Sequence, residues 1–294
     1  MARKKKQAEI APVIPDIRVM GKYQRPQNIL IVGCGGTGAY VAGHLARLVS
    51  VLDKAEDKPW RGYRLILADG DKVERKNLER QHFVQRDLDT NKAEALAARY
   101  SAAFGMEVVA VPSYLENVHA ITVLEPQLLI GCVDNNASRR IMGSWVFDIP
   151  YAPDRFWIDS GNEENSGQVV CGFSPAQSSA RTFDPACEGE AFSLPLVTEV
   201  YPALLEAEDK FNSQLSCAEL AQSAPQNMMA NITAATIVLN FAQKILRGKA
   251  LRAHGASFSV DNSFRTILNT PENLAKVNPK RRRVWEKPVD AQTI

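Results

Sequence analysis

The stretch Asn28-Ile29-Leu30-Ile31-Val32-Gly33-Cys34-Gly35-Gly36-Thr37-Gly38-Ala39-Tyr40-Val41-Ala42 decides how this chain folds. The apolar run Ile29 to Val32 has the branching and length of a buried strand. Glycines at 33, 35, 36 and 38 make a tight turn, and the residues from Ala39 to Leu48 read as a helix. Strand, glycine turn and helix start, in that order, aim backbone N–H groups and the positive end of a helix dipole at an anion. A loop of this kind serves NAD, FAD and other nucleotides alike, so it marks a phosphate site without naming the nucleotide.

The residues that follow narrow the choice. A second apolar run, Tyr63 to Ala68, ends at Asp69, where a carboxylate at the C-terminal end of a strand can accept hydrogen bonds from ribose hydroxyls. Then comes Asp71-Lys72-Val73-Glu74-Arg75-Lys76-Asn77-Leu78-Glu79-Arg80-Gln81, with Lys92 after a short loop. Hydride transfer has no evident need for this cluster, whereas ATP brings a third phosphate whose charge must be neutralised. Arg80 can hold phosphate oxygens bidentately and Lys92 can act as a point charge.

These residues resemble the ThiF/MoeB/HesA family, which shares the adenylation domain of ubiquitin-activating enzymes. The pattern is Gly33-x-Gly35-Gly36-x-Gly38, then Asp69-x-Asp71-x-Val73-x-x-x-Asn77-Leu78-x-Arg80-Gln81, then Lys92, then Cys132-Val133-Asp134-Asn135. The resemblance implies an ATP site built from the four glycines with Asp69, Asp71, Asn77, Arg80, Gln81 and Lys92. It also implies Mg²⁺ on Asp134, which follows the apolar run Leu128 to Val133 and so falls at the same sheet edge; a carboxylate suits that hard cation. The expected activity is adenylation of the C-terminal carboxylate of a small ubiquitin-like or sulfur-carrier protein. Transfer to a cysteine is an optional second step, with Cys217 first and Cys187 second. A conjugating-enzyme-like protein and a homodimer are the other implied partners. Asp159-Ser160-Gly161-Asn162 and Gly167-Gln168-Val169-Val170 look most like the ThiF-family member of bacterial PRTRC systems. Relatives often place a Tyr-x-Arg-Gln signature before the first strand; Tyr23-Gln24-Arg25-Pro26 departs from it, so no donated arginine is assigned.

Each side chain also has a plainer reading. Asp134 also reads as a cap for the helix after it, Arg80 as a partner of Glu79 or Asp87, and Asn77 as a turn residue. Cys34 lies in a loop that must pack on phosphate, while Cys132 and Cys171 fall in expected strands and read as small buried apolar residues. The chain's 5 cysteines are widely spaced and include no C-x-x-C pair, which favours reduced thiols and argues against the structural zinc of many relatives.

Outward from the loop, β-α-β units continue. Thr90 to Phe104 is alanine-rich and helical, Glu107 to Val111 and Gln127 to Cys132 are short strands, and Ala137 to Phe147 is a helix. Arg155 to Asp159 and Gln168 to Phe173 read as neighbouring antiparallel strands. Ser174 to about Ser216 is a long irregular connection. A core helix starts at Asn227 and stops at Gly248, and Phe258 to Val260 with Arg265 to Leu268 suggests a closing hairpin. The fold expected is α/β: a doubly wound, Rossmann-like, mostly parallel sheet extended by antiparallel strands. Residues 1–26 are expected as a flexible arm, 27–270 as the adenylation domain with a crossover segment at about 174–226, and 271–294 as a basic tail.

With 45% hydrophobic residues over 294 positions the chain can bury a full core. Lys plus Arg number 35 against 33 for Asp plus Glu, so charge gives no case for nucleic acid or an acidic membrane, and the basic clusters at 3–6 and 280–283 read as solvated tails. No apolar run reaches a membrane span and no signal-peptide pattern follows the basic start, so the cytoplasm is the expected location. Two other functions compete: a nicotinamide- or flavin-dependent oxidoreductase, in which Arg80, Lys92 and Asp134 have no role, and an inert nucleotide-binding module that recruits a partner.

Overall fold

The computed structural model describes residues 26–55, 62–147, 153–174, 194–206, 227–249, 251–261, 263–269 and 273. Its first strand, β1 (Asn28–Val32), is buried on both faces: Ile29 and Ile31 pack into one core cluster, Leu30 and Val32 into the other. A strand with helices on each side has no polar face to offer, which is why the run is continuously apolar. The same holds for β2 (Arg64–Ala68) and β4 (Leu128–Gly131). With β3 (Val108–Val111) and β5 (Arg155–Asn162) these strands pair in parallel.

Three antiparallel strands extend the sheet: β6 (Ser166–Ser174), β7 (Ala253–Ser259) and β8 (Ser263–Leu268). The order across its eight strands is β3-β2-β1-β4-β5-β6-β7-β8. The expected doubly wound α/β architecture is what the chain adopts. Helices α1 (Gly36–Ala55), α2 (Lys92–Phe104) and a late helix, α7 (Met228–Leu246), cover one face. On the other lie α3 (Val118–Thr122), α4 (Asn136–Phe147) and α5 (Val197–Val200), with α6 (Ala203–Glu206) against α4.

Local chemistry sets the ends of α2. Asn91 caps it, its side chain accepting from the N–H groups of Ala93 and Glu94, and Gly105 at φ +63° closes it in the left-handed region. Asn227 caps α7 in the same way through Met229 N–H, and Gly248 follows that helix at φ +62°. Two expectations shift. Leu194, α5 and α6 give order to part of the stretch read as irregular, because Leu196 and Val197 bury their side chains beside Trp145 and Trp157. The closing hairpin begins at Ala253, earlier than Phe258, because β7 is fixed by pairing with β6 rather than by an apolar alternation of its own.

The sheet reverses direction of winding between β1 and β4. Strand order to one side of that point runs β1-β2-β3 and to the other β4-β5, so the loops after β1 and β4 part there and leave a crevice at the strands' carboxyl ends, where ligands of such sheets bind.

Candidate functional site

The glycine loop leaves β1 at this crevice. Gly33 has φ +88°, and a Cβ on it would stand 2.5 Å from the Cys132 carbonyl oxygen; one on Gly38 would stand 1.9 Å from the Gly33 carbonyl oxygen. Those two glycines are required by the chain's own packing. Gly35 differs: the nearest atom to its missing Cβ is Gln81 Nε2 at 3.8 Å, an ordinary contact, so a ligand has room to approach the backbone there. Gln81 is buried and its Oε1 has no hydrogen-bond partner among the described residues, so a donor from a ligand or a water would complete it. An open glycine and an unpaired acceptor, both beside the first turn of α1, fit a nucleotide.

Behind the loop stands a carboxylate pair with one ammonium. Asp69, following β2, takes the Cys34 N–H on one oxygen at 2.6 Å and the Asp71 N–H on the other at 2.8 Å. Its carboxylate therefore holds the glycine loop, and ribose hydroxyls would share oxygens already in use. Burial raises the Asp69 pKa, with Lys92 opposing the shift. Burial alone would raise Asp71 too, but the charge and hydrogen bond of Lys92, Nζ to Oδ2 at 2.8 Å, together with the Tyr114 hydroxyl, hold it below the ordinary carboxylate value. Lys92 is itself buried, which by itself would lower its pKa; the two aspartates outweigh burial and raise it. The ammonium also acts on Cys34, one residue from Gly35. Asn91 ties these parts together, its Nδ2 donating to the carbonyls of Asp69 at 2.8 Å and Asp71 at 3.1 Å while its oxygen caps α2.

The segment carrying Asn77, Arg80 and Gln81 is a 3-10 turn, Arg75–Asn77, and the residues after it. Asn77 is buried with its Oδ1 accepting the Glu74 N–H at 2.8 Å, so the turn reading of this residue is realised in the structure. The Arg80 carbonyl accepts from Asn231 Nδ2, on α7, at 3.4 Å. Asn231 Oδ1 accepts from Asn162 Nδ2 at 2.8 Å, and Asn162 Oδ1 from the Thr37 hydroxyl at 3.1 Å.

After β4, Asn135 rather than Asp134 caps α4, its Oδ1 accepting the Ser138 N–H at 2.8 Å. Asp134 is exposed at the crevice and, after burial and Asp71 and Asp69, adds to the upward shift of the Tyr114 pKa. Deeper in, Arg139 Nε donates to Asp159 Oδ2 at 3.0 Å and Arg139 Nη2 to the Val133 carbonyl at 2.6 Å, fixing the strand end that carries Asp134.

The glycine loop, Asp69, Asp71 and Lys92 are thus in direct contact, with Gln81 against Gly35 and the Arg80 main chain joined to the loop through two asparagines. Cys187 and Cys217 lie outside the described residues. Cys34 and Cys171 are buried and burial pushes both thiols up; Cys132 falls just beyond β4 and is half-buried. Tyr114, Asn91, Asn162 and Asn231 went unassigned from the sequence. Tyr114 follows β3 at the ligand-binding end of a parallel sheet, a positional signal; Asn231 is a lone amide on an alanine-rich core face, where a polar side chain needs a partner.

The fold has solved counterparts. PaaA superposes with a TM-score of 0.52 at 17% identity, over 83% of this chain and 65% of PaaA. The Microcin C7 biosynthetic enzyme MccB in complex with N-formylated MccA gives 0.52 at 17%, over 82% and 64%. E. coli MccB with AMPCPP and MccA gives 0.52 at 18%, over 82% and 63%. The chain therefore spans less than two thirds of the length of these proteins. No curated protein matches it. The ThiF family matches residues 17–276, which contain all eight strands with the loop and crevice, and the chain belongs to that family.

Proposed function

We propose that this protein is an ATP-dependent activating enzyme that adenylates the C-terminal carboxylate of a small ubiquitin-like or sulfur-carrier protein. The observation that carries the reading is Gly35, open to a ligand at the crevice, with the buried ammonium of Lys92 close behind the loop. A dinucleotide needs the glycine but not the ammonium. MccB, a member of the same fold class, has been solved with AMPCPP and with MccA, which supports a nucleotide and a second substrate meeting on this scaffold.

In the reaction an oxygen of the carrier's carboxylate bonds to the α-phosphorus of ATP while the bond from that phosphorus to the pyrophosphate oxygen breaks. The products are an acyl-adenylate and pyrophosphate. Two anions must be brought together, so positioning and charge stabilisation supply most of the rate. Arg80 and Lys92 would neutralise phosphate charge, Asp69 and Asp71 would orient the ribose and Lys92, and Asn77 and Gln81 would shape the loop side. Asp134 would hold Mg²⁺, which would supply further charge neutralisation when bound. Where a thioester follows, the Cys217 thiolate displaces AMP from the adenylate, with Cys187 the second choice. A conjugating-enzyme-like partner, a homodimer and the PRTRC setting belong to this proposal.

The test is carrier-dependent ATP–pyrophosphate exchange, using a ubiquitin-like protein that ends in Gly. Arg80→Ala and Asp134→Ala are expected to lower exchange by on the order of 10²-fold while leaving the fold intact. Near-normal exchange in folded Asp134→Ala would move the metal elsewhere. A reductant-sensitive carrier adduct that survives Cys217→Ala and vanishes in Cys187→Ala would reassign the thioester.

A further inference from the structure

We propose that Asn231 is a positioning residue for nucleotide binding, one that locks the phosphate loop, the Arg80 turn and the β5–β6 hairpin into a single unit. The inference rests on the nucleotide reading above and adds a residue outside all four of its sequence blocks. Asn231 is fully buried, on a helix that otherwise packs through Ala230, Ala234, Ala235 and Val238. A buried amide destabilises a core unless its polar atoms are paired. Here the pairing runs in one direction: the Thr37 hydroxyl donates to Asn162 Oδ1, Asn162 Nδ2 to Asn231 Oδ1, and Asn231 Nδ2 to the Arg80 carbonyl. Each donor meets an acceptor, so the bonds reinforce one another.

Packing makes the same connection. A Cβ on Gly36 would lie 2.4 Å from Asn231 Nδ2, and its three nearest atoms all belong to that amide. The amide therefore rests against the Cα of Gly36, in the first turn of α1, whose N–H groups have no partner within the helix. One side chain touches the turn that receives phosphate and the carbonyl of the residue whose guanidinium is assigned to neutralise it. Loss of the amide releases both together, and misplacement of a positioning group by about 1 Å can cost up to 10²-fold.

The test is calorimetric titration of the full chain with ATP and Mg²⁺, with melting temperature recorded in parallel. Asn231→Leu keeps the branching of the side chain and removes both hydrogen bonds; its Kd for ATP is expected to rise on the order of 10-fold. Asn162→Ala, which breaks the relay one link earlier, is expected to raise Kd by about 3-fold. Val238→Ala, on the same helix and in the core, lowers the melting temperature and leaves Kd within about 2-fold. A Kd within about 2-fold of wild type in Asn231→Leu, with wild type binding ATP, overturns the proposal and leaves the nucleotide reading standing. Where Asn231→Leu fails to fold, an unchanged Kd in Asn162→Ala overturns it equally. A wild-type chain that binds no ATP overturns the nucleotide reading and this inference with it.

Discussion

Gly36 has no side chain because the Asn231 amide occupies the space one would need. Its backbone is not among the positive-φ glycines, so alanine is sterically the only problem there. Gly36→Ala is expected to destabilise the fold by about 1–3 kcal/mol through overpacking. In an Asn231→Ala background the obstructing atoms are gone, and the same change is expected to cost about 1–2 kcal/mol less, a coupling that a double-mutant cycle in urea measures. Strictly additive effects would mean that the loop glycine is small for another reason. Lys92 acts through its charge. Asp71 is held below its ordinary value of 3.8, so the pair contributes stability above that pH and loses it as pH falls through the folded-state pKa. Lys92→Met is expected to cost roughly 1–2 kcal/mol at pH 7, at the low end for a buried pair because Asp71 is partly exposed. That cost should shrink as Asp71 protonates below pH 3.8, and a penalty that grows on acidification would contradict the assignment.

At the scale of elements, Asn91 joins helix, strand ends and site. It caps α2 and holds the carbonyls of Asp69 and Asp71. Asn91→Ala is therefore expected to cost more than the ~1 kcal/mol of an ordinary cap, roughly 2–3 kcal/mol by chemical denaturation. The parallel strands and α1, α2 and α4 were legible because their apolar runs, caps and glycine stops are local signals. β7 was legible only from Phe258 onward: Ala253-His254-Gly255-Ala256 has little strand character, and its register comes from β6. The same limit applied to the site. Lys92 and Asp71 sit near one another in sequence and could be read as a cluster, whereas Asn231 meets Arg80 across 151 residues and leaves no trace in either motif. The capping of α4 went to Asn135, one residue beyond the alternative left open for Asp134.

For the whole molecule, strand order does the positioning: the winding reverses between β1 and β4, so the glycine loop and Asp134 come from opposite halves of the sheet and face one crevice. Three antiparallel strands then widen the sheet, and the β5–β6 hairpin returns Asn162 to the loop. Among the described residues no helix is long and apolar enough to cross a membrane. The proposed function requires this crevice to take ATP rather than a dinucleotide. Titration calorimetry of the intact chain against ATP with Mg²⁺, NAD and FAD tests it most directly. The expected result is ATP binding that Arg80→Ala weakens on the order of 10-fold, with no comparable heat from NAD or FAD, since each good charge-assisted contact is worth about 1.5–3 kcal/mol. NAD bound at low micromolar concentration, beside no binding of ATP, would contradict it.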